Sequence, residues 1–227
     1  MIGNKLEQSI ISVFQNNLST TFSINEVSKQ LKKSYPTINH KSNFFLKEGI
    51  LKKIVIGKSY QCFLNLENDK AKVLISINEI NNKELFLEKN TDFMFTYEAI
   101  LRICGAPPYK TYISFILVRG FELVFVLRSF DSKMIAEIRN VIPVVAKYQR
   151  LFLSEEQFKT ELLNDPLLGN THTILFNLNN YVHLLEEMTD KLLARGFLDL
   201  TKDSDVAAFK TSSKNVAVNS KYRLLHK

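Results

Sequence analysis

One stretch of the sequence, residues 22–66, constrains the fold more than any other, because helical and strand patterns follow one another in it with almost no linker. It begins with a short strand and continues as a helix whose expected N-cap is Asn25, since an asparagine side chain can accept from the unpaired N–H groups of a first turn. Ser34 is expected to cap a second helix, in which Ile38 and Phe45 lie on one face. The stretch therefore predicts two helices joined by a tight turn.

A β-hairpin is expected directly after the second helix. Gly49 ends that helix, and two apolar, β-prone runs follow at residues 50–56 and 60–66. Gly57-Lys58-Ser59 separates the two runs and makes a turn with a lysine at its tip. The pattern thus predicts two antiparallel strands that close this part of the chain.

This order of elements resembles the winged helix-turn-helix domain. The resemblance is carried by Thr37-Ile38, by FLKEGIL at residues 45–51 and by the turn at 57–59, and residues 6–14, LEQSIISVF, match a first helix. In that family the second helix of the motif lies in the DNA major groove and the wing contacts the backbone or the minor groove. The resemblance implies a double-stranded DNA partner, read by the helix near residues 35–48 and by the wing near 51–66. The side chains that it assigns to DNA contact are Ser34, Tyr35, Thr37, Asn39, His40, Lys41, Asn43, Lys53 and Lys58.

The charge distribution agrees with a polyanionic partner. Residues 1–66 contain nine Lys and three Glu, a net charge of +6, residues 67–200 have a net charge of −3, and residues 201–227 have +4. Each phosphate that a lysine neutralises releases counterions, so a basic surface favours nucleic acid. The alternative for Lys29, Lys32 and Lys33 is an ordinary solvated helix face.

The rest of the chain predicts a second, smaller α/β unit. Residues 71–80 read as a strand or as the start of a connecting helix, and the polar segment 81–84 is the expected junction between domains. The resulting division is 1–80 for the winged helix-turn-helix domain, 81–200 for the α/β domain and 201–227 for a basic, partly ordered tail.

Within the second unit, the elements are expected in a definite order. They are a helix from Asp92 to Cys104, a buried hairpin of strands at 112–118 and 121–127, a helix capped by Asp131, a strand that begins at Val144 or covers 150–153, a helix opened by a Ser154 capping box, and a long helix over 171–195. In that last helix Ile174, Leu178, Tyr181, Val182 and Leu185 share one face, which would serve as a dimer interface or as a cover for the sheet.

This second unit faintly resembles the minimal nucleotidyltransferase domain of archaeal proteins that also carry an N-terminal winged helix. The similarity lies in residues 112–118 and 121–127 as central strands, followed by LFLSEEQFKTELL and TILFNLNNYVHLLEEM. The family's active site needs a Gly-Ser turn and two aspartates that bind two Mg²⁺ ions. Here the turn reads Val118-Arg119-Gly120-Phe121, and only Glu122 stands where a metal carboxylate would stand. The resemblance therefore implies an α+β protein whose second domain is a degenerate, catalytically silent relative used for dimerisation or for binding a partner or effector.

The histidine and cysteine residues are not spaced as metal-binding or catalytic sites require. His172 and His183 would lie three turns apart on one helix, which makes them surface or interface histidines and not a metal pair. Cys62 and Cys104 each sit in an apolar run and are expected to be reduced, buried thiols. No apolar run is long enough to span a bilayer, and we expect a cytoplasmic protein without a cofactor.

Three classes of function remain open at this stage. The first is a DNA-binding transcriptional regulator that works as a homodimer. The second is an enzyme of the nucleotidyltransferase type, and the third is a winged-helix module that docks proteins inside a larger assembly.

Overall fold

The protein has a mixed α+β fold in the computed structural model, which describes residues 4–56, 59–164 and 172–194. The helices are α1 Lys5–Gln15, α2 Ile24–Leu31, α3 Tyr35–Lys47, α4 Asp69–Lys89, α5 Met94–Cys104, α6 Tyr109–Tyr112, α7 Ser132–Val141, α8 Glu155–Asn164 and α9 Leu178–Glu187, with a short 3-10 helix at Thr91–Phe93. The strands are β1 Leu51–Ile56, β2 Ser59–Leu64, β3 Ile113–Arg119, β4 Glu122–Leu127, β5 Gln149–Ser154 and β6 His172–Phe176.

The two helices of the N-terminal stretch form as expected, but the cap of the first was placed wrongly. Ser23, not Asn25, is the N-cap of α2: its hydroxyl accepts from the Glu26 backbone N–H at 3.2 Å, and the Glu26 carboxylate accepts from the Ser23 N–H at 2.6 Å. This reciprocal capping box satisfies two backbone donors at once, which Asn25 cannot do from inside the first turn.

Helix α3 has the buried face that its sequence predicts. Ile38 and Phe45 are fully buried, which confirms the expectation for both. Ser34 occupies the N-cap position, although its hydroxyl bonds to the Thr37 hydroxyl at 2.6 Å and does not cap the backbone. Gly49 has a φ of +70°, a left-handed conformation that glycine adopts without a steric penalty, and it ends the helix.

The hairpin follows as predicted. Strands β1 and β2 pair antiparallel from Leu51 opposite Leu64 to Ile56 opposite Ser59. Phe22 exchanges two backbone hydrogen bonds with Cys62, at 2.9 and 2.7 Å, and so forms an isolated β-bridge to β2 where a short strand was expected. This arrangement ties the segment before α2 to the hairpin.

Helix α4 is one continuous helix, and it contains the segment 81–84 for which we expected a break between domains. Asn78 explains why a polar helix is stable here: its side-chain amide donates to Ser12 Oγ at 3.0 Å and to Gln15 Oε1 at 3.1 Å, both on α1. Asn78, together with Asn81, whose amide donates to Gln8 Oε1 at 3.3 Å, therefore belongs to an interface with α1, which a search for apolar periodicity does not detect.

The second half of the chain is built around a four-stranded sheet with the order β5-β4-β3-β6. The predicted β3–β4 hairpin is confirmed, β5 runs parallel to β4, and β6 runs antiparallel to β3. One face of the sheet packs against α8 and α9 in a core that continues into α1–α4, whereas the other face packs against α5 and α7.

The long C-terminal helix was predicted wrongly at its start. Residues 172–176 form β6, and Asn177, in the left-handed conformation with φ +55°, separates this strand from α9. Tyr181, Val182 and Leu185 are buried against the sheet, with the Tyr181 ring 5.5 Å from that of Phe115. The apolar face of α9 thus covers the sheet and does not form an exposed dimer interface. The expected end of this helix and the tail at 201–227 lie outside the described residues.

Candidate nucleic-acid interface

The surface of α3 opposite its buried residues is polar and exposed. His40, Asn43 and Lys47 recur on this side at intervals of three and four, and all three are exposed. The Asn43 side-chain amide donates to Asn39 Oδ1 at 3.2 Å, so the two amides form a connected pair on the outer surface. A row of amides, an imidazole and an ammonium can donate to and accept from base edges or phosphates.

The N-terminal end of α3 adds an exposed aromatic ring beside the hairpin. Tyr35 is 48 % exposed, and Thr37 is exposed next to it. Tyr60 on β2 is half-buried; burial raises its pKa, and Cys62 and the nearby Tyr35 add to the rise. Tyr35 at the start of α3 is therefore near enough to Tyr60 of β2 for the two phenol groups to interact electrostatically.

Lys41 differs from the other residues assigned to this surface. Its ammonium lies 2.8 Å from a carboxylate oxygen of the buried Glu7 and 5.1 Å from the Phe44 ring centroid, and the side chain is half-buried. It is thus not free to reach a ligand, contrary to the expectation from its position on the helix. Its role here is to neutralise a buried carboxylate and to join α1 to α3.

The hairpin contributes one exposed lysine among the described residues. Lys53 on β1 is exposed, and its ammonium lies 5.6 Å from the Tyr60 ring centroid. The Lys52 ammonium instead forms an ion pair with Glu67, with 2.7 Å between Nζ and Oε2. Lys58, the other lysine assigned to the wing, lies outside the described residues.

Five exposed lysines in residues 29–53 make no ion pair with any described residue. We call them the open lysines: Lys29, Lys32, Lys33, Lys47 and Lys53. Sequence analysis did not include Lys47 in the site, although its spacing of seven from His40 places both on one helix face. The open lysines give this surface a positive charge that no neighbouring carboxylate in the described chain neutralises by direct contact.

Glu122, the carboxylate that the sequence resemblance singled out, belongs to an ion-pair network in the structure. Arg119, at the end of β3, donates to Glu122 and to Glu161, each at 2.7 Å. Within residues 4–56, 59–164 and 172–194 there is no group of three or more His, Cys, Asp or Glu side chains placed to hold a metal ion.

A second polar feature lies deep between α1, α4 and β6. The carboxylate of Glu79 is almost fully buried, and its Oε1 accepts from Gln15 Nε2 at 2.5 Å and lies 3.7 Å from His172 Nε2. Burial raises the pKa of Glu79, while His172, Gln15 and the Ile174 backbone amide oppose the rise. His172 is itself buried, on a strand; the expectation that it lies on one helix with His183, at the surface or an interface, is wrong.

Comparisons with known proteins identify no relative. No protein-family model, no curated protein and no solved structure matches the chain. In the part of the chain that the structure describes, no helix is both long and apolar enough to cross a membrane. Function must therefore be inferred from the geometry of the surface itself.

Proposed function

We propose that this chain binds double-stranded DNA through the exposed face of α3, as a winged helix-turn-helix protein with a regulatory role. The observation that carries the proposal is the two-sidedness of α3. Ile38 and Phe45 anchor one face in the core, while Asn39, His40 and Asn43 stand on the surface where base edges could be met. A helix that is rigidly packed on one side and polar on the other is what insertion into a major groove requires.

The order of elements supports the same assignment. Three helices are followed by an antiparallel hairpin, and an isolated β-bridge between Phe22 and Cys62 ties the segment before α2 to this hairpin. In the proposed complex α3 reads the groove, and β1 and β2 act as the wing that contacts the backbone. Lys53 is the described wing residue suited to a phosphate contact.

Electrostatics add to the proposal. The open lysines lie on α2, in the turn between α2 and α3, on α3 itself and on β1, and none is engaged with a described carboxylate. Ion-paired lysines such as Lys52 would have to give up a partner in order to bind phosphate, whereas the open lysines would not. Lys41 is left out of the proposed interface because it is bound to Glu7.

We also propose that the second half of the chain, which is built around the four-stranded sheet, has no catalytic activity. Phosphoryl transfer needs divalent metal ions held close together by carboxylates. Glu122 is instead bound by Arg119, which brings a fixed positive charge to the place where a metal would be needed. Mg²⁺-dependent incorporation of a nucleotide into any acceptor would overturn this part of the proposal and restore the enzyme alternative.

The test of DNA binding is fluorescence anisotropy with a labelled duplex of random sequence over a series of salt concentrations. Lys47→Met and Lys53→Met should each weaken binding to all sequences alike and reduce the salt slope by about one, as expected for phosphate contacts. Lys133→Met, on the exposed surface of α7 far along the chain, is the matched control and should change neither quantity.

Base reading has a separate signature. Asn43→Ala should reduce the preference among sequences selected from a random pool, because an asparagine amide can form two hydrogen bonds with adenine. If no duplex binds even at low salt, the DNA proposal fails and the protein-docking alternative is favoured. A homodimer on two half-sites stays a prediction of the sequence, to be checked by light scattering, with the apolar face of α9 excluded as its interface.

A further inference from the structure

The two edges of the four-stranded sheet, β5 and β6, differ in how they are covered. Helix α4 contacts β6, and the Ile174 backbone amide of this strand faces the Glu79 carboxylate. The pairing of β6 with β3 also has a register shift, whereas β5 pairs with β4 in one continuous parallel register over all six residues. A regular edge strand of this kind is a template on which a further strand can pair.

The backbone groups of β5 alternate between β4 and the outer edge. The Gln149 N–H donates to the Phe121 carbonyl, directly before β4, at 2.8 Å. Because the N–H and C=O of one residue in a parallel strand point to the same side, residues 149, 151 and 153 bond to β4, and those of Arg150 and Phe152 point outward. The outward groups of these two residues make no backbone hydrogen bond within the described chain. The edge thus presents two donors and two acceptors.

The devices that usually protect an edge strand are missing from β5, which is described over its whole length. Natural edges are protected by proline, by bulges or by charged side chains that keep a second strand away. Strand β5 has no proline and no bulge, and its charged residue, Arg150, donates from Nη2 to the Ile142 carbonyl of its own chain at 2.8 Å. Leu151, a large apolar residue, is only half-buried. The edge therefore fits a strand that pairs with it and covers Leu151.

We propose that a second copy of this chain adds its own β5 to this edge, antiparallel and about a twofold axis at Leu151. Arg150 of each copy then lies opposite Phe152 of the other, and the two residues exchange both N–H···O bonds, as a hydrogen-bonded pair of an antiparallel ladder does. The four resulting bonds use every outward group of these residues in both copies. The two four-stranded sheets become one sheet of eight strands.

The neighbouring residues select this axis over the adjacent ones. An axis at Phe152 would pair Arg150 with Ser154, whose N–H already donates to a glutamine side chain of α8 at 2.8 Å. An axis at Arg150 would pair Phe152 with Tyr148, whose N–H already donates to a carbonyl of the preceding turn at 2.9 Å. The axis at Leu151 joins residues whose outward groups have no such partner. This self-matching register identifies a second copy of the chain as the partner, and it does not depend on DNA binding by α3.

Cysteine cross-linking of the full chain tests the register. The axis places the two Leu151 Cα atoms opposite each other in a non-hydrogen-bonded pair, about 4.5 Å apart, and a disulfide spans ~4.4–6.8 Å. Leu151→Cys should therefore give a covalent dimer on mild oxidation, seen on a non-reducing gel. Gln149→Cys, at an exposed position of the same strand, is the matched control, because its two copies would lie four residues out of register, about 13 Å apart. The native thiols, Cys62 and Cys104, are buried and should not cross-link.

Light scattering on the reduced protein tests the assembly itself. The unmodified chain should have a molar mass of about 52 kDa, twice the 26.2 kDa of one copy. Leu151→Lys and Leu151→Glu should each give the mass of one copy, because like charges directly opposite each other destabilise a strand pair, and an equimolar mixture of the two should restore the dimer.

Three results would overturn the proposal. The first is a single-copy mass of the unmodified chain at every concentration, which would leave the edge open to an unrelated strand. The second is equal cross-linking at positions 149 and 151, and the third is a dimer that persists in both charged variants. If the charged variants do not fold, the comparison of the two cysteine variants still decides.

Discussion

The replacement Phe45→Ala tests whether α3 is anchored as described. The Phe45 side chain is fully buried in the N-terminal core, with its ring centroid 6.0 Å from that of Phe44. Removing a buried phenylalanine ring loses its transfer free energy and leaves a cavity that neighbouring groups fill only partly. The expected loss in the free energy of unfolding is about 3–5 kcal/mol. This is a large part of the ~5–15 kcal/mol that typically separates a folded protein from its unfolded state.

Phe44→Ala is the matched control, because the same ring is removed from the next position on the same helix. Phe44 is only half-buried, and its ring lies under the Lys41 ammonium, so the loss should be about 1 kcal/mol. Equilibrium unfolding in urea at neutral pH measures both. With an m-value of ~1–3 kcal/mol per molar, Phe45→Ala should lower the midpoint by at least about 1 M, and m should stay unchanged.

The comparison of the two variants can refute the assignment. Equal losses at positions 44 and 45 would mean that the face containing Ile38 and Phe45 is not the packed one, and the exposed face proposed to read DNA would be wrong with it. A loss confined to Phe45 supports the orientation of α3 independently of any binding experiment.

Three further predictions concern stability and reactivity. Burial raises the pKa of Glu79 above its usual 4.5, so the folded state binds the carboxyl proton more tightly than the unfolded state does. The protonated carboxyl therefore contributes to the free energy of unfolding at low pH, and this contribution is lost as the pH rises from about 4.5 through the raised pKa. Glu79→Gln should flatten the fall in the free energy of unfolding in this pH window. Ser23→Ala should cost about 1 kcal/mol in urea unfolding, whereas Asn25→Ala should cost far less; equal costs would contradict the observed cap. Burial raises the pKa of both cysteine thiols, Cys62 and Cys104, to about 12, so iodoacetamide at pH 8 should label them only at the rate of opening, and fast labelling of the native protein would contradict their burial.

Local sequence patterns predicted most elements whose determinants are local. The β3–β4 hairpin follows from two apolar runs separated by Arg119-Gly120, and Ser154 and Gln157 form the predicted capping box at the start of α8, at 2.8 and 3.1 Å. The buried face of α3 was likewise visible from the spacing of Ile38 and Phe45. In each case the information lies within a few residues of the element itself.

Strand β6 could not be predicted in this way because its partner is distant in sequence. Ile174 pairs with Leu117 across the sheet, and the apolar residues of β6 run directly into those of α9. The only local sign of the boundary is Asn177, a residue type that tolerates the left-handed conformation without requiring it. Because β6 was taken for part of a helix, the position of His172, which lies on this strand, was predicted wrongly as well.

The sites were harder to predict than the elements, because they depend on which charges neutralise one another. Lys41 and Lys47 have the same side chain on the same helix, but only Lys41 faces a buried carboxylate, contributed by α1. Glu79 and Lys83 have the spacing of an ion pair on α4, but Glu79 is held by Gln15 of α1, and the Lys83 ammonium lies 5.8 Å from the Tyr97 ring centroid of α5. Such partners come from separate elements, and one sequence does not reveal them.

The continuity of α4 has a mechanical consequence. Its 21 residues make a rod of about 30 Å that packs against both α1 and β6 around Asn78 and Glu79 and reaches the Tyr97 ring of α5 at Lys83. A helix without an internal break transmits rotation as a lever does, so tilting it by about 5° at one end displaces the other end by roughly 2–3 Å. A displacement of that size is enough to break a hydrogen bond. A change in the packing around one end of α4 would therefore move the side chains at its other end relative to their partners.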